Sequence, residues 1–142
     1  PNVVPVATEF IAKHNLQDRI TAQPGDFLKA ADYGGDYDLI SFITPLHWYL
    51  RDDVIKTLRH AYDALPPGGG VLIVGYMLND TRSGPVDPAF YHLQAIREGH
   101  YTGHVPSGPE YVSYLEEAGF ADARYEWLLP NRLGQIEARK PS

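Results

Sequence analysis

The chain contains no cysteine. That excludes disulfides, thiolate metal sites and a cysteine nucleophile, and it fits a cytoplasmic protein. Basic residues are also scarce. Lys and Arg total 12 against 18 Asp and Glu, for a net charge of -6, and they form no cluster. An acidic chain without a basic patch has no electrostatic footprint for nucleic acid, so no such partner is expected. No apolar run approaches the roughly 20 residues of a membrane span, so no membrane partner is expected either. The opening, Pro1-Asn2-Val3-Val4, lacks the positive region of a secretory signal. It also lacks an initiator methionine, so polypeptide upstream of Pro1 is expected. Internal repeats and low-complexity tracts are missing.

What is present is a globular composition. Hydrophobic residues make up 44% of 142 residues and charged residues 21%, enough for one domain with a core and too apolar for disorder. The organising stretch runs from Tyr37 to Trp48, Tyr-Asp-Leu-Ile-Ser-Phe-Ile-Thr-Pro-Leu-His-Trp. It reads as a buried strand that ends at Thr44-Pro45 and delivers His47 just beyond its carboxyl end. In open α/β sheets, ligands bind outside those carboxyl ends. A titratable, metal-capable side chain there is a site candidate on physical grounds alone.

In chain order, Val6, Ala7, Phe10 and Ile11 predict a helix over residues 4–15. Residues 19–23, around Ile20 and Ala22, predict a short strand. Pro24-Gly25-Asp26-Phe27 is a turn, and residues 27–31 one helical turn. Residues 37–43, a near-continuous apolar run, predict a strand covered on both faces. Residues 52–65 predict a helix with Val54, Leu58, Ala61 and Leu65 on one face. Its Asp52-Asp53 pair suits the positive end of the helix dipole, and Pro66-Pro67-Gly68 stops it. Residues 70–77 predict a second buried strand. Asp87 as cap and Pro88 at the first helical position start a helix that runs to about residue 98. Ser107 caps a helix carrying Tyr111, Leu115 and Ala118 and ending at Gly119. Residues 121–128 and 133–138 form a closing hairpin around Pro130-Asn131-Arg132. The order α-β-β-α-β-α-α-β-β predicts an α/β fold with a mostly parallel sheet and an antiparallel strand near one end. No domain boundary interrupts residues 1–142.

Several stretches, taken in order, resemble a known family. They are Asp18-Arg19-Ile20 followed by Gly25-Asp26-Phe27; Asp38 to His47; His60 to Gly69; Val71 to Val74; and Leu115-Glu116-Glu117-Ala118-Gly119-Phe120. The chain resembles the carboxyl-terminal part of a class I S-adenosylmethionine-dependent methyltransferase of the small-molecule O-methyltransferase type. The resemblance implies a Rossmann-like sheet with a terminal antiparallel hairpin. It also implies that the first two strands and the Gly-rich cofactor loop are absent. Gly68-Gly69-Gly70 follows a helix and is a turn, not that loop. In the family the first two strands lie between the third and the fourth, here the stretches around Ile20 and Leu39. The functional unit is therefore expected to include more polypeptide, either a missing amino-terminal half or another chain. The complete protein is expected to be a homodimer.

The same resemblance assigns roles. His47 lies where such enzymes place a catalytic base, which takes the acceptor's proton during attack on the sulfonium methyl. The plainer reading of His47 is a loop histidine at a helix start. Gly25, Asp26 and Phe27 are the expected adenine contacts, with the acid toward the amino group and the apolar neighbour against the ring. Ile43 and Thr44 line the cofactor pocket by position. Trp48 and His104 are candidate substrate contacts, and Tyr49, Phe90, Tyr91 and Tyr101 are further aromatics for an acceptor wall. The Asp that commonly follows the histidine is Trp48 here, and the family's orienting glutamates fall near Gly75 and Val105. Instead there are extra histidines. His47 and His100 resemble the metal pair of phenylpyruvate-type α-keto acid C-methyltransferases, which hold iron or a similar ion such as zinc. His14 and His60 are expected to face solvent.

Three functions follow. Metal-assisted C-methylation of an α-keto acid is preferred, because expected carboxylates are absent and extra histidines present. O-methylation with His47 as base is the alternative. A methyltransferase-like protein that transfers no methyl is the rival from another class.

Overall fold

A computed structural model describes residues 2–97 and 105–142. Helix α1 (Val3–Lys13) comes first, then strand β1 (Leu39–Ile43), helix α2 (Arg51–Ala64), strand β2 (Gly70–Tyr76), helices α3 (Val86–Arg97) and α4 (Gly108–Ala118), and strands β3 (Ala121–Leu129) and β4 (Leu133–Arg139). Short 3-10 turns lie at Ala30–Asp32 and Leu46–Trp48. Among the described residues no helix is long and apolar enough to cross a membrane.

The four strands form one sheet in the order β1-β2-β4-β3. β1 pairs parallel with β2, Leu39 opposite Gly70 and Ile43 opposite Val74. β4 runs antiparallel to both β2 and β3, so the predicted hairpin inserts its second strand beside β2. This is the Rossmann-like arrangement expected of the carboxyl-terminal part.

One face of the sheet carries the core. α2 contributes Val54, Ile55, Leu58 and Ala61, and α4 contributes Tyr111, Tyr114, Leu115 and Ala118. These meet Phe42, Val71, Ile73, Ile136 and Ala138 of the strands. Helix α2 ends because Leu65, preceding a proline, adopts extended backbone (ψ 144°). Lys140, just past β4, donates to the carbonyls of Tyr62 (2.8 Å) and Leu65 (2.7 Å). A cation there satisfies the unpaired end of the helix and suits its dipole.

Helix α4 starts with a capping box. The Ser107 hydroxyl accepts from the Glu110 amide (3.3 Å), and the Glu110 carboxylate accepts from the Ser107 amide (2.7 Å). Gly119 closes the helix in the left-handed region, φ 107°, which glycine adopts without steric cost.

The predicted strand over residues 19–23 does not form. A strand needs a neighbour for its amides and carbonyls. Among the described residues this stretch pairs with no strand. The prediction of a strand covered on both faces over residues 37–43 is also corrected. β1 begins at Leu39, and Leu39 and Ile43 are 56% and 57% exposed. Among the described residues β1 pairs on one side only. The apolar run belongs to a strand whose other edge and outer face have no cover here.

Two further apolar surfaces are bare. α1 buries none of its side chains. On α3, Val86, Phe90, Leu93 and Ile96 are all exposed. α3 starts at Val86, which puts Asp87 in its first turn rather than at the cap.

Ser107→Ala removes one half of the capping box and is expected to cost about 1 kcal/mol. Urea unfolding followed by circular dichroism should show a lower midpoint with an unchanged slope.

Candidate active site

The site begins where β1 stops. Thr44 sits in the left-handed region (φ 65°), which disfavours a β-branched side chain by about 1–2 kcal/mol. Its amide donates to the Val74 carbonyl at 2.7 Å, holding the distorted residue against β2. Strain of this kind, held in place by its surroundings, clusters at functional sites. Here it turns the chain into the Leu46–Trp48 helical turn and drives His47 inward. His47 ends up 3% exposed.

Aromatic rings enclose that imidazole. Trp48 lies 5.3 Å from it, Tyr76 5.6 Å and Tyr91 5.3 Å between ring centroids. Tyr76 and Tyr91 stack on each other at 4.4 Å and 20°. Among the described residues neither His47 nitrogen has a hydrogen-bond partner. A charged imidazolium is strongly disfavoured in such surroundings. Burial, with a smaller push from His92, lowers the His47 pKa to about 4. At neutral pH the ring is uncharged, with a free lone pair.

A cleft of about 710 Å³ runs between the 23–37 loop and the free edge of β1. It gathers Gly25, Asp26, Phe27 and Ile43, together with Tyr33, Tyr37 and Pro45. Thr44 joins Ile43 to Pro45 at its end. The Asp26 carboxylate accepts from the Leu28 amide (3.1 Å) and pairs with Lys29 (3.3 Å). Those contacts hold its pKa below the ordinary carboxylate value. Phe27 meets Tyr49 edge-on at 5.2 Å, which fixes the turn at the carboxyl end of β1. An ionised acceptor beside an aromatic ring fits the amino group and plane of an adenine, and the volume suits a nucleoside-sized cofactor.

His100 and His104 lie outside the described residues, so the expected pair of His47 and His100 does too. Among the described residues no group of three His, Cys, Asp or Glu could hold a metal ion. Where the resemblance leads one to expect glutamates, Gly75 would leave open space around an added Cβ and Val105 is buried. Of the proposed acceptor aromatics, Trp48 and Tyr91 surround His47, Tyr49 packs on Phe27, and Phe90 points outward at 65% exposure. Tyr101 is outside the described residues. Tyr76 was not foreseen as a site residue. Its position at the carboxyl end of a buried strand was the available signal. His60 is corrected as well. It is half-buried and its ring packs edge-on against Tyr33 at 5.9 Å, because it faces the 27–33 loop that folds back onto α2. His14 is exposed as expected.

With this geometry in hand, comparison with known proteins is informative. The family model of the O-methyltransferase domain matches residues 1–121. The L-tyrosine C(3)-methyltransferase of Streptomyces lavendulae is 36% identical over 123 residues, 84% of this chain and 32% of that protein. The 3-hydroxy-5-methyl-1-naphthoate 3-O-methyltransferase of Streptomyces sahachiroi is 35% identical, over 87% of this chain and 35% of its own length. The crystal structure of human N-acetylserotonin methyltransferase in complex with SAM superposes with a TM-score of 0.77 at 28% identity, over 88% of this chain and 35% of that one. The chain spans about a third of the length of these curated relatives.

The unpartnered imidazole makes stability pH-dependent. Its folded pKa, about 4, lies below the ordinary value of about 6.5. The unfolded chain therefore binds more protons between those values, and stability present above pH 6.5 is lost as pH falls toward 4. The loss is on the order of 3 kcal/mol. Urea midpoints measured from pH 7 to pH 4 should fall less steeply for His47→Phe than for the parent.

Proposed function

Because the chain belongs to the O-methyltransferase family, we propose that it supplies the base-bearing part of an enzyme that moves a methyl group from S-adenosylmethionine to a small hydroxyaromatic molecule. One observation carries this. His47, buried and unpartnered on both nitrogens, stands at the carboxyl end of β1 beside the cleft of Gly25, Asp26, Phe27 and Ile43.

The chain's own residues then have distinct tasks. Asp26 accepts from the adenine amino group and Phe27 packs on its ring. Ile43 and Thr44 line the cofactor at the strand end. S-adenosylmethionine, when bound, supplies an electrophilic methyl on its sulfonium sulfur. An imidazole nitrogen of His47 would take the acceptor hydroxyl proton as that oxygen becomes the nucleophile for the methyl group. The hydroxyl also gives the buried nitrogen the hydrogen bond it lacks, an interaction worth about 1–3 kcal/mol at such a site. Trp48 walls the acceptor side.

The low basicity of His47 favours an acidic acceptor. A phenol, with a pKa of about 10, gives up its proton far more readily than an aliphatic alcohol. A phenolate is nucleophilic at oxygen and at the adjacent ring carbon, so the same base serves O- and C-methylation and the bound pose selects between them. The names of the relatives, an L-tyrosine C(3)-methyltransferase and a naphthoate 3-O-methyltransferase, support that acceptor class.

The rest of the site comes from polypeptide outside this chain, upstream or separate. Three features support this. β1 has a free edge, α1 buries nothing, and the chain spans a third of its relatives. A second reading keeps iron or zinc on His47 and His100, with an α-keto acid as acceptor. The unpartnered nitrogens of His47 and the nearby His92 favour it.

The test uses the chain joined to a segment that carries a strand, a Gly-rich loop and an acidic residue. Transfer from methyl-labelled S-adenosylmethionine to a panel of phenols and α-keto acids is measured alongside metal content. Phenol methylation that falls about 10²–10⁴-fold in His47→Ala supports the proposal. Methylation confined to α-keto acids, with metal lost in His47→Ala, replaces it with the metal reading. Cofactor binding with no transfer to any acceptor leaves a methyltransferase-like binding protein.

A further inference from the structure

The His47 ring lacks the usual means of orientation. A histidine base is ordinarily aimed by a hydrogen bond to its second nitrogen, and among the described residues neither nitrogen has one. The ring torsion of histidine is broad when nothing restrains it. Something else must hold the plane of the imidazole.

Ring contacts do so on more than one side. Tyr76 meets His47 at 88° and Tyr91 meets it at 68°. These are edge-to-face geometries, the preferred arrangement when one ring's positive rim meets another's negative face. The two tyrosines also brace each other, stacked within 20° of parallel. Tyr76 comes from the carboxyl end of β2, the strand paired with β1. Tyr91 comes from α3. The imidazole is therefore flanked by rings from two elements distant from its own turn, and close packing of this kind restricts rotation about its ring torsion.

We propose that the stacked Tyr76–Tyr91 pair is the positioning element of His47, holding by ring contacts the orientation that a carboxylate holds in other histidine bases. The catalytic part of this inference rests on the base role proposed above; the structural part does not. Both tyrosines are positioning residues, since they act through His47.

The experiment uses the chain completed as above and carrying isotope-labelled histidine, with the His47 resonances assigned from His47→Gln. Rings packed this closely displace the His47 ring protons from their ordinary shifts. Tyr76→Leu and Tyr91→Leu are each expected to move those signals away from their parent positions, while Tyr76→Phe and Tyr91→Phe keep the parent shifts. The His60 signals, set by Tyr33 at 5.9 Å, report that each variant has folded. In turnover, the leucine variants should lose about 10²-fold in kcat, the scale expected for a misplaced group, with KM for the cofactor unchanged and kcat rescued by phenylalanine. Leucine variants that keep the parent shifts overturn the proposal. So do leucine variants that lose only acceptor KM, since the tyrosines would then be mere wall. If His47→Ala leaves methyl transfer intact, the base role fails, and the resonance shifts still decide whether the pair orients His47.

Discussion

The parallel pairing of β1 with β2 is the constraint on which the site depends. It sets Ile43, the last residue of β1, opposite Val74, so β2 runs on beyond the end of β1 as far as Tyr76. The Thr44 amide then donates to Val74 and fixes the left-handed turn at that level. From the turn, His47 is carried inward, and from the end of β2, Tyr76 is carried toward it. Had the strands been offset by one residue, alternation would have sent these side chains to opposite faces. The helix-side core, built from α2 and α4, holds this pairing rigid by burying Phe42, Val71 and Ile73.

Two kinds of incompleteness in the structure have different physical meaning. Among the described residues the free edge of β1, the uncovered α1 and the outer face of α3 leave apolar side chains in water, and such exposure is costly. The nitrogens of His47, without a partner among the described residues, are small, polar and buried. A buried polar atom of that kind calls for a physical explanation of a different sort, in terms of hydrogen bonding rather than apolar area.

The cleft beside β1 joins both. Along Leu39 to Phe42 it borders strand edge that lacks a neighbour. At its far end, by Ile43 and Pro45, it meets the Gly25-Asp26-Phe27 turn. That end holds a carboxylate bound by an amide and a lysine, with an aromatic ring fixed by Tyr49.

The sequence by itself determined the elements whose stability is local. The apolar face of Val54, Leu58 and Ala61 with two prolines after it could only be an amphipathic helix that stops. Ser107 with Glu110, and Gly119 after Ala118, marked both ends of α4 by their own hydrogen-bonding and conformational preferences. It also placed His47 beyond a strand end, because strand, proline and histidine are adjacent in the chain. Tertiary structure decided what depends on distant neighbours. Residues 19–23 have strand-like residues and remain irregular, since propensity cannot supply a pairing partner. The run around Leu39 looked doubly buried and is not, since burial belongs to whatever packs on it. The ring cage of His47 joins residues 48, 76 and 91 through pairing and helix packing that no local pattern encodes. For that reason His47 was legible in the sequence as a site candidate, and the packing of Tyr76 and Tyr91 on it was not.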